Sequence, residues 1–161
     1  MTRRVGRIID LATNAAVVVG GFFTCLMTLI VVYAVVARYI FNSPIGWSEE
    51  IAVYLMIWVV FLGAAYTLKE DAHIGVDILI SKLPPPKKRL MLFFHYLVGL
   101  FFMSILLFHG IGMVAFTLKM DSHSIAIGFP LVLSHLAVPV GSAILILQFI
   151  NKLLSLAAGD C

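Results

Sequence analysis

Charged residues are scarce in this chain. Only 12% of its 161 residues are Asp, Glu, Lys or Arg, and 62% are hydrophobic, whereas a soluble domain carries about 25% charged residues. No polar segment is long enough to fold as a second domain, so we expect one membrane domain over residues 1–161. Four long stretches contain no charge at all: Leu11–Ala37, Ile51–Leu68, Leu90–Leu118 and Ile125–Ile150.

Sequence motifs of enzymes and metal sites are also missing. The two cysteines, Cys25 and Cys161, have no spacing that suggests a disulfide framework or a metal site. The sequence has no HExxH, no GxSxG, no glycine-rich phosphate loop and no pair of carboxylates inside an uncharged stretch. Basic residues lie at the ends of these stretches, which does not suggest nucleic-acid binding. We therefore predict a protein that is not an enzyme, with no catalytic residues, no metal, no cofactor and no nucleic-acid partner.

The uncharged stretches have the length of membrane spans. A helix needs about 20 mainly apolar residues to cross a bilayer, and only a helix satisfies its own backbone hydrogen bonds there one segment at a time. We predict an all-α integral membrane protein with four transmembrane helices, near residues 12–37, 50–69, 90–118 and 130–150. The first is longer than the apolar core of a secretory signal, about 7–15 residues, so we expect a retained span. Pro130 is expected in the first turn of the last span and Pro139 is expected to kink it.

The positions of the basic residues predict the orientation. Lys and Arg collect on the cytoplasmic side of short loops. When the four spans alternate, Arg38 and Lys119 lie on one side and nine basic residues lie on the other. This places both termini and loop two, which joins the second and third spans, in the cytoplasm. The nine are Arg3, Arg4, Arg7, Lys69, Lys82, Lys87, Lys88, Arg89 and Lys152.

Loop one, between the first two spans, is rich in residues with a defined local role. Asn42 favours a turn, Ser48 is a good N-cap for the second span, and Glu49 and Glu50 suit the first turn of a helix. Trp47 suits the headgroup region. The two acids fit capping alone, or capping together with the docking of a partner, and both interpretations stay open. The loop-one candidates are Arg38, Asn42, Trp47, Ser48, Glu49 and Glu50.

Loop two contains an apolar segment that is too short to span the membrane. We predict that Ile74–Leu83 forms a short interfacial helix on the cytoplasmic side, ended by a run of prolines. His73 and Asp77 are four residues apart, so they would pair on a helix. Phospholipid headgroups are the expected partners of the membrane anchors Lys69, Lys87, Lys88 and Arg89.

Histidines in the third and fourth stretches leave two other functions open. His95 and His109 are 14 residues apart, which places them on nearly one face of a helix and about 21 Å apart, as two stacked haems would require. His123 and His135 are 12 residues apart and do not share a face, so they supply no matching pair. A single b-type haem, or a small transporter that works alone through an intramembrane histidine, stays an alternative.

Two groups of segments resemble a known family. They are Arg38–Glu50 (RYIFNSPIGWSEE), Trp58–Tyr66 (WVVFLGAAY) and Ala72–Asp77 (AHIGVD), followed by Ile127–Pro130 (IGFP) and Leu136–Gly141 (LAVPVG). Together they resemble the small membrane subunit (DctQ-type) of tripartite ATP-independent periplasmic (TRAP) transporters, over roughly residues 30–150. Gly46 departs from the small polar residue expected before the tryptophan.

The resemblance implies a multi-pass protein of the bacterial inner (cytoplasmic) membrane without a catalytic or substrate site of its own. Such systems import organic acids or similar solutes with an ion gradient. A periplasmic substrate-binding protein captures the solute, and a large polytopic membrane subunit carries it by an elevator-like motion. The small subunit packs beside the large one and enlarges its fixed scaffold. On this basis the loop-one candidates organise the outer face, internally or against a partner, and His73 and Asp77 organise loop two.

Overall fold

The computed structural model of the chain describes residues 2–70, 85–124 and 126–158. Over these residues the backbone forms helices, and no strand beyond one isolated bridge. The helices are α1 (Thr2–Tyr39), α2 (Trp47–Lys69), α3 (Pro85–Lys119), α4 (Val132–His135) and α5 (Ala137–Ala158). Within the described ranges, four segments are long and apolar enough to cross a membrane, namely Ile9–Tyr39, Trp47–Lys69, Lys88–Lys119 and Val132–Ala157. The predicted all-α protein with four membrane-spanning helices is confirmed.

The predicted features of loop two lie outside the described residues. The expected interfacial helix, His73 and Asp77 all fall within residues 71–84. Of Lys87 the structure describes only the backbone, near the start of α3. These expectations stay predictions, as does the side of the membrane on which each loop lies.

The long helices lie side by side in the order α1, α2, α5, α3. Helix α1 packs along α2, α2 packs on α5, and α5 packs along α3, while α1 also touches α5. In the most apolar part of the fourth span, 44% of residues are buried within the chain, compared with 11% in the first span and 6% in the third. Helix α5 is therefore central, and α1 and α3 form the two edges of the row.

The hydrophobic core lies where α5 meets its two long neighbours. It includes Ala65 and Leu68 of α2, Tyr96 of α3, and Leu145 and Phe149 of α5. All five have less than a tenth of their surface exposed. Because the hydrocarbon of a bilayer is as apolar as these side chains, close packing and not the hydrophobic effect holds them together.

Two glycines allow the helices of the row to approach closely. A β-carbon at Gly141 of α5 would overlap the β-carbon and ring of Phe61 on α2. A β-carbon at Gly99 of α3 would overlap the outer edge of the Phe149 ring on α5. Each of the two contacts of α5 thus depends on a glycine, which has no β-carbon to keep the helices apart.

The fourth span is interrupted near Pro139. Helix α4 ends at His135 and α5 begins at Ala137. Proline has no N–H to donate to the carbonyl four residues earlier, which here belongs to His135. The kink predicted at Pro139 stays a prediction.

The expectation that Pro130 lies in the first turn of the last span is wrong. Helix α4 begins at Val132, and Pro130 pairs with His123 in an antiparallel bridge. The Leu131 N–H donates to the Ser122 carbonyl at 3.1 Å. This bond holds the chain in a loop before the helix begins.

Candidate functional site

Loop one brings a basic and an acidic side chain together between α1 and α2. Arg38 lies in the last turn of α1 and Glu49 lies in the first turn of α2. The Arg38 Nη2 donates to Glu49 Oε1 at 2.7 Å, and the two side chains are 50% and 74% exposed. The pair therefore joins two helices while both charges stay accessible to a partner.

Ser48 does not cap α2 as predicted. The helix begins at Trp47, its N-cap residue is Gly46, and no side-chain capping hydrogen bond is present. The buried Ser48 hydroxyl donates instead to the carbonyl of Ile45 at 2.8 Å. Because the helix starts one residue before Ser48, this side chain lies inside the first turn. Its hydroxyl therefore bonds a preceding carbonyl and does not accept a hydrogen bond from the free N–H groups at the start of α2.

Asn42 and Trp47 define the two ends of the turn between these helices. Asn42 has a φ of 49°, in the left-handed region that asparagine tolerates better than most residues. The N–H of the next residue, Ser43, donates to the Ala37 carbonyl at 3.0 Å. Trp47, the first residue of α2, is 36% exposed.

The second glutamate of loop one bonds within the chain. The Ser124 hydroxyl donates to Glu50 Oε2, so loop three, the connection between α3 and α4, is tied to the start of α2. The same hydroxyl accepts the Ile127 N–H at 3.3 Å, and the Ser124 N–H donates to the Phe129 carbonyl at 2.8 Å. Ser124 is buried, and no pattern in the sequence pointed to it. We call the region of Arg38, Glu49, Glu50 and Ser124 the loop-one end of the protein.

A partly open groove of about 220 Å³ runs between α1 and α2 at the loop-one end. Its walls are mainly apolar, and the Arg38–Glu49 pair lies at its polar edge. The lining residues are Val31, Ala34, Val35, Arg38, Tyr39, Ser48, Glu49 and Ala52.

Basic side chains join helices at the opposite end of the row, which we call the loop-two end. Lys69 Nζ donates to Asn14 Oδ1 of α1 at 2.5 Å and lies 5.8 Å from the centre of the Tyr66 ring. Arg89 Nη2 donates to the carbonyls of Leu156 and Ala157 at 2.8 and 3.5 Å. These carbonyls lie in the last turn of α5, where a cation is favoured by the helix dipole. Two of the predicted anchors therefore also connect α2 with α1 and α3 with α5.

A buried polar pair links α1 and α5 inside the row. Gln148 Nε2 donates to Thr13 Oγ1 at 2.5 Å, and the Thr13 hydroxyl donates to the Ile9 carbonyl at 3.0 Å. Both side chains are fully buried, and Gln148 Oε1 is left without a partner among the described residues. Sequence reasoning missed this pair, although a single amide in an uncharged stretch is a signal of helix contact in membranes.

The histidines take different positions. His135 Nδ1 lies 2.9 Å from the Thr117 hydroxyl, a bond between α4 and α3. His123, in loop three, bonds the Asp121 carbonyl at 2.7 Å. His109 is exposed on α3, and His95 is half-buried. Among the residues that the structure describes, no group of three or more His, Cys, Asp or Glu side chains is arranged to hold a metal.

Comparison with known proteins gives one family. Residues 27–159 match the family described as tripartite ATP-independent periplasmic transporters, DctQ component. A Haemophilus influenzae protein named as a TRAP transporter small permease protein is 34% identical over 139 residues, which cover 84% of this chain and 85% of that protein. The C4-dicarboxylate TRAP transporter small permease protein DctQ of Rhodobacter capsulatus is 30% identical over 105 residues, which cover 65% of this chain and 46% of that protein.

A longer protein contains a related segment. The sialic acid TRAP transporter permease protein SiaT of Haemophilus influenzae is 31% identical over 65 residues, 40% of this chain but 11% of SiaT. A segment similar to this chain therefore occurs inside a much longer transport protein.

Proposed function

Because the chain belongs to the DctQ component family of tripartite ATP-independent periplasmic transporters, we propose that it is the small scaffold subunit of a TRAP-type secondary transporter. It is a multi-pass protein of the bacterial inner membrane. The complete transporter imports an organic acid or a similar solute with an ion gradient. The family match over residues 27–159 is the observation that carries this proposal.

The internal contacts suit a subunit that stays fixed while its partner moves. The loop-one end joins α1 to α2 through Arg38 and Glu49, and joins α2 to loop three through Glu50. The loop-two end joins α3 to α5 through Arg89. The buried bond of Gln148 connects α5 to α1 in between. Bonds at both ends and in the middle oppose sliding or tilting of one helix against another.

The principal partner is a large polytopic membrane subunit. The related segment inside the much longer SiaT permease protein supports this pairing, because in that protein a segment similar to this chain is part of a larger transport protein. The four spans offer apolar surfaces, and each contains a long stretch without fixed charge, so they suit packing against another apolar protein. We assign the chain no catalytic role and no solute site of its own.

The two ends suit different further partners. The exposed Arg38 and Glu49 at the loop-one end fit a periplasmic substrate-binding protein, since exposed charges steer and orient protein encounters. At the loop-two end, Lys69, Lys88 and Arg89 fit the anionic headgroups of phospholipids in the cytoplasmic leaflet. His73 and Asp77 organise loop two in this proposal.

Uptake by reconstituted vesicles tests the proposed function. The cognate large subunit and binding protein are reconstituted with and without this chain, and the chain is also reconstituted alone. We expect solute uptake only with all three proteins and co-purification of this chain with the large subunit. Uptake by the chain alone would support the stand-alone transporter instead, and a Soret band in the purified chain would support the haem protein.

A further inference from the structure

Helix α3 presents most of its surface away from the rest of the described chain. One side of it, which includes Tyr96, Gly110 and Thr117, is buried against the last span. A second side carries six exposed residues with alternating spacings of four and three. They are Val98, Phe102, Ile105, His109, Gly112 and Phe116, and we call them the His109 flank.

His109 makes this flank unlike an ordinary lipid-facing surface. It lies ten residues before Lys119, about 15 Å along the helix axis and therefore inside the hydrocarbon. Its imidazole is exposed, and among the described residues the structure gives it no hydrogen bond. Its ring contact is with Phe108, with centroids 5.7 Å apart, and a phenyl ring does not replace a hydrogen-bonding partner.

Acyl chains cannot satisfy an imidazole. It carries at least one N–H in either protonation state, and an unsatisfied polar group in hydrocarbon is costly. Ionisable side chains inside spans therefore face protein or a water-filled cavity. A group with hydrogen-bonding atoms must cover His109 in the working protein.

On α1, at the opposite edge of the row, the exposed threonine hydroxyls have hydrogen-bonding partners. The hydroxyls of Thr24 and Thr28 on α1 donate to the carbonyls of Gly20 and Thr24 at 2.9 Å each. The exposed Ser104 of α3 likewise donates to its own helix, at Leu100. The hydroxyls of these three residues are therefore satisfied by their own helices, whereas the His109 imidazole is not.

The spacing of the flank also fits a second helix. Apolar positions that alternate by four and three residues have a period of 3.5, the spacing at which two helices pack along a seam with a small crossing angle. A β-carbon at Gly112 would meet no atom of the chain within 4 Å, so a neighbour has room to approach there. Small residues at such positions allow close helix contact in membranes.

We propose that the His109 flank is the surface on which the large membrane subunit packs, through a transmembrane helix that gives His109 a hydrogen-bonding partner. The proposal rests on the proposed function, because that function requires such a subunit. The partner group is a carboxylate, hydroxyl, amide or freed backbone carbonyl at the depth of His109. Helix α1 faces lipid instead.

Two matched glycines test the surface. Gly112 on α3 and Gly21 on α1 are both exposed, lie well inside their spans and have no atom of the chain within 4 Å of an added β-carbon. Gly112→Phe should reduce co-purification of the large subunit at least tenfold, whereas Gly21→Phe should leave it at the wild-type level. Both variants should melt like the wild-type subunit when purified alone, since an added β-carbon at either position meets no other atom of the chain within 4 Å.

Photo-crosslinking identifies what covers each surface without depending on a disruptive variant. A benzoylphenylalanine at position 112 should crosslink to the large subunit in membranes that contain the whole transporter, and one at position 21 should not. A crosslink from 112 to a second copy of this chain, or no protein crosslink from 112, would overturn the proposal. If the wild-type chain never co-purifies with the large subunit, the proposed function itself is wrong. If the wild-type chain co-purifies but position 112 does not crosslink to the large subunit, only the proposed surface is wrong.

Substitution of His109 tests its hydrogen bond. His109→Leu should weaken association about three- to tenfold, the size of one interhelical hydrogen bond in a membrane. His109→Gln, which keeps a donor and an acceptor, should restore most of the loss. Equal association of all three proteins, with the leucine variant more stable when isolated, would show that His109 faces lipid and would refute the proposal.

Discussion

The two glutamates at the start of α2 have different surroundings despite being neighbours. Glu49 belongs to an exposed pair with Arg38, and exposed pairs contribute about 0–1 kcal/mol. Glu50 accepts a hydrogen bond from the buried Ser124 hydroxyl, and such bonds to charged groups contribute about 1.5–3 kcal/mol. Glu50 is therefore the structural residue of the two, and Glu49 is the one available to a partner.

Replacement of each glutamate by glutamine should separate these roles. Glu50→Gln and Ser124→Ala should each lower the unfolding free energy of the purified subunit by about 1–2 kcal/mol, because each weakens the tie between α2 and loop three. Glu49→Gln should change it by less than about 0.5 kcal/mol but reduce uptake by the assembled transporter. Unfolding in graded denaturant and uptake in vesicles measure both effects. Equal stability losses at the two positions would contradict this division.

The buried pair of Thr13 and Gln148 predicts an asymmetry between its two members. Gln148→Leu leaves the Thr13 hydroxyl bonded to the Ile9 carbonyl, so little polar surface is left unmet. Thr13→Val leaves the Gln148 amide without its partner in a buried site where its oxygen already has none in the described chain. Thr13→Val should therefore cost about 1–2 kcal/mol, and Gln148→Leu clearly less.

A double variant completes that test. If both residues are replaced, no polar group of the pair remains buried, and the unfolding free energy should return close to the Gln148→Leu value. The melting temperatures of all four proteins in one detergent give the comparison. A larger loss from Gln148→Leu than from Thr13→Val would mean that the amide makes a further contact that outweighs this pair.

At the scale of elements, close contacts of α5 with its neighbours hold the row together. Gly141 meets the β-carbon of Phe61, which cannot move without its backbone, whereas Gly99 meets the far edge of the Phe149 ring, which can turn away. Gly141→Ala should therefore cost about 2–3 kcal/mol, and Gly99→Ala about 1 kcal/mol or less. Gly21→Ala, in open space, is the matched control and should be neutral or slightly stabilising.

Melting of the purified subunit and crosslinking between α2 and α5 measure the outcome. A cysteine pair placed across that contact should crosslink less efficiently in Gly141→Ala than in Gly99→Ala. If the two alanine variants are equally stable, α2 and α5 can move apart more easily than the contact with Phe61 indicates.

Local patterns in the sequence were sufficient for some elements and misleading for others. Absence of charge identified the four spans, because burial of charge in lipid outweighs every local preference. Ser48 failed as a cap because the helix begins one residue earlier, at Trp47, with Gly46 in the N-cap position. Capping preferences differ by about 1 kcal/mol and are easily overruled by packing, which here buries the serine hydroxyl.

At the scale of the whole molecule, the arrangement of helices was not readable from local patterns. Contacts of Gln148 with Thr13 and of Trp58 Nε1 with the Leu133 carbonyl join residues 135 and 75 positions apart. Such pairs depend on which helices are neighbours and on how each helix is rotated about its axis. The hydropathy pattern predicts neither of these. Loop-one residues could be selected from their types, but Ser124 could not, because its role exists only once loop three lies beside α2.

The positions of the basic residues predict how the whole molecule is oriented in the membrane. The loop-one end carries Arg38 and Lys119, and the remaining nine basic residues belong to the termini and loop two. Positively charged short segments are retained in the cytoplasm, so both termini should lie inside. Alkaline phosphatase, which folds only where its disulfides form, should be active when fused after residue 44 or 126 and inactive when fused after residue 70 or 161. The reverse pattern would place Arg38 and Glu49 in the cytoplasm, out of reach of any periplasmic binding protein.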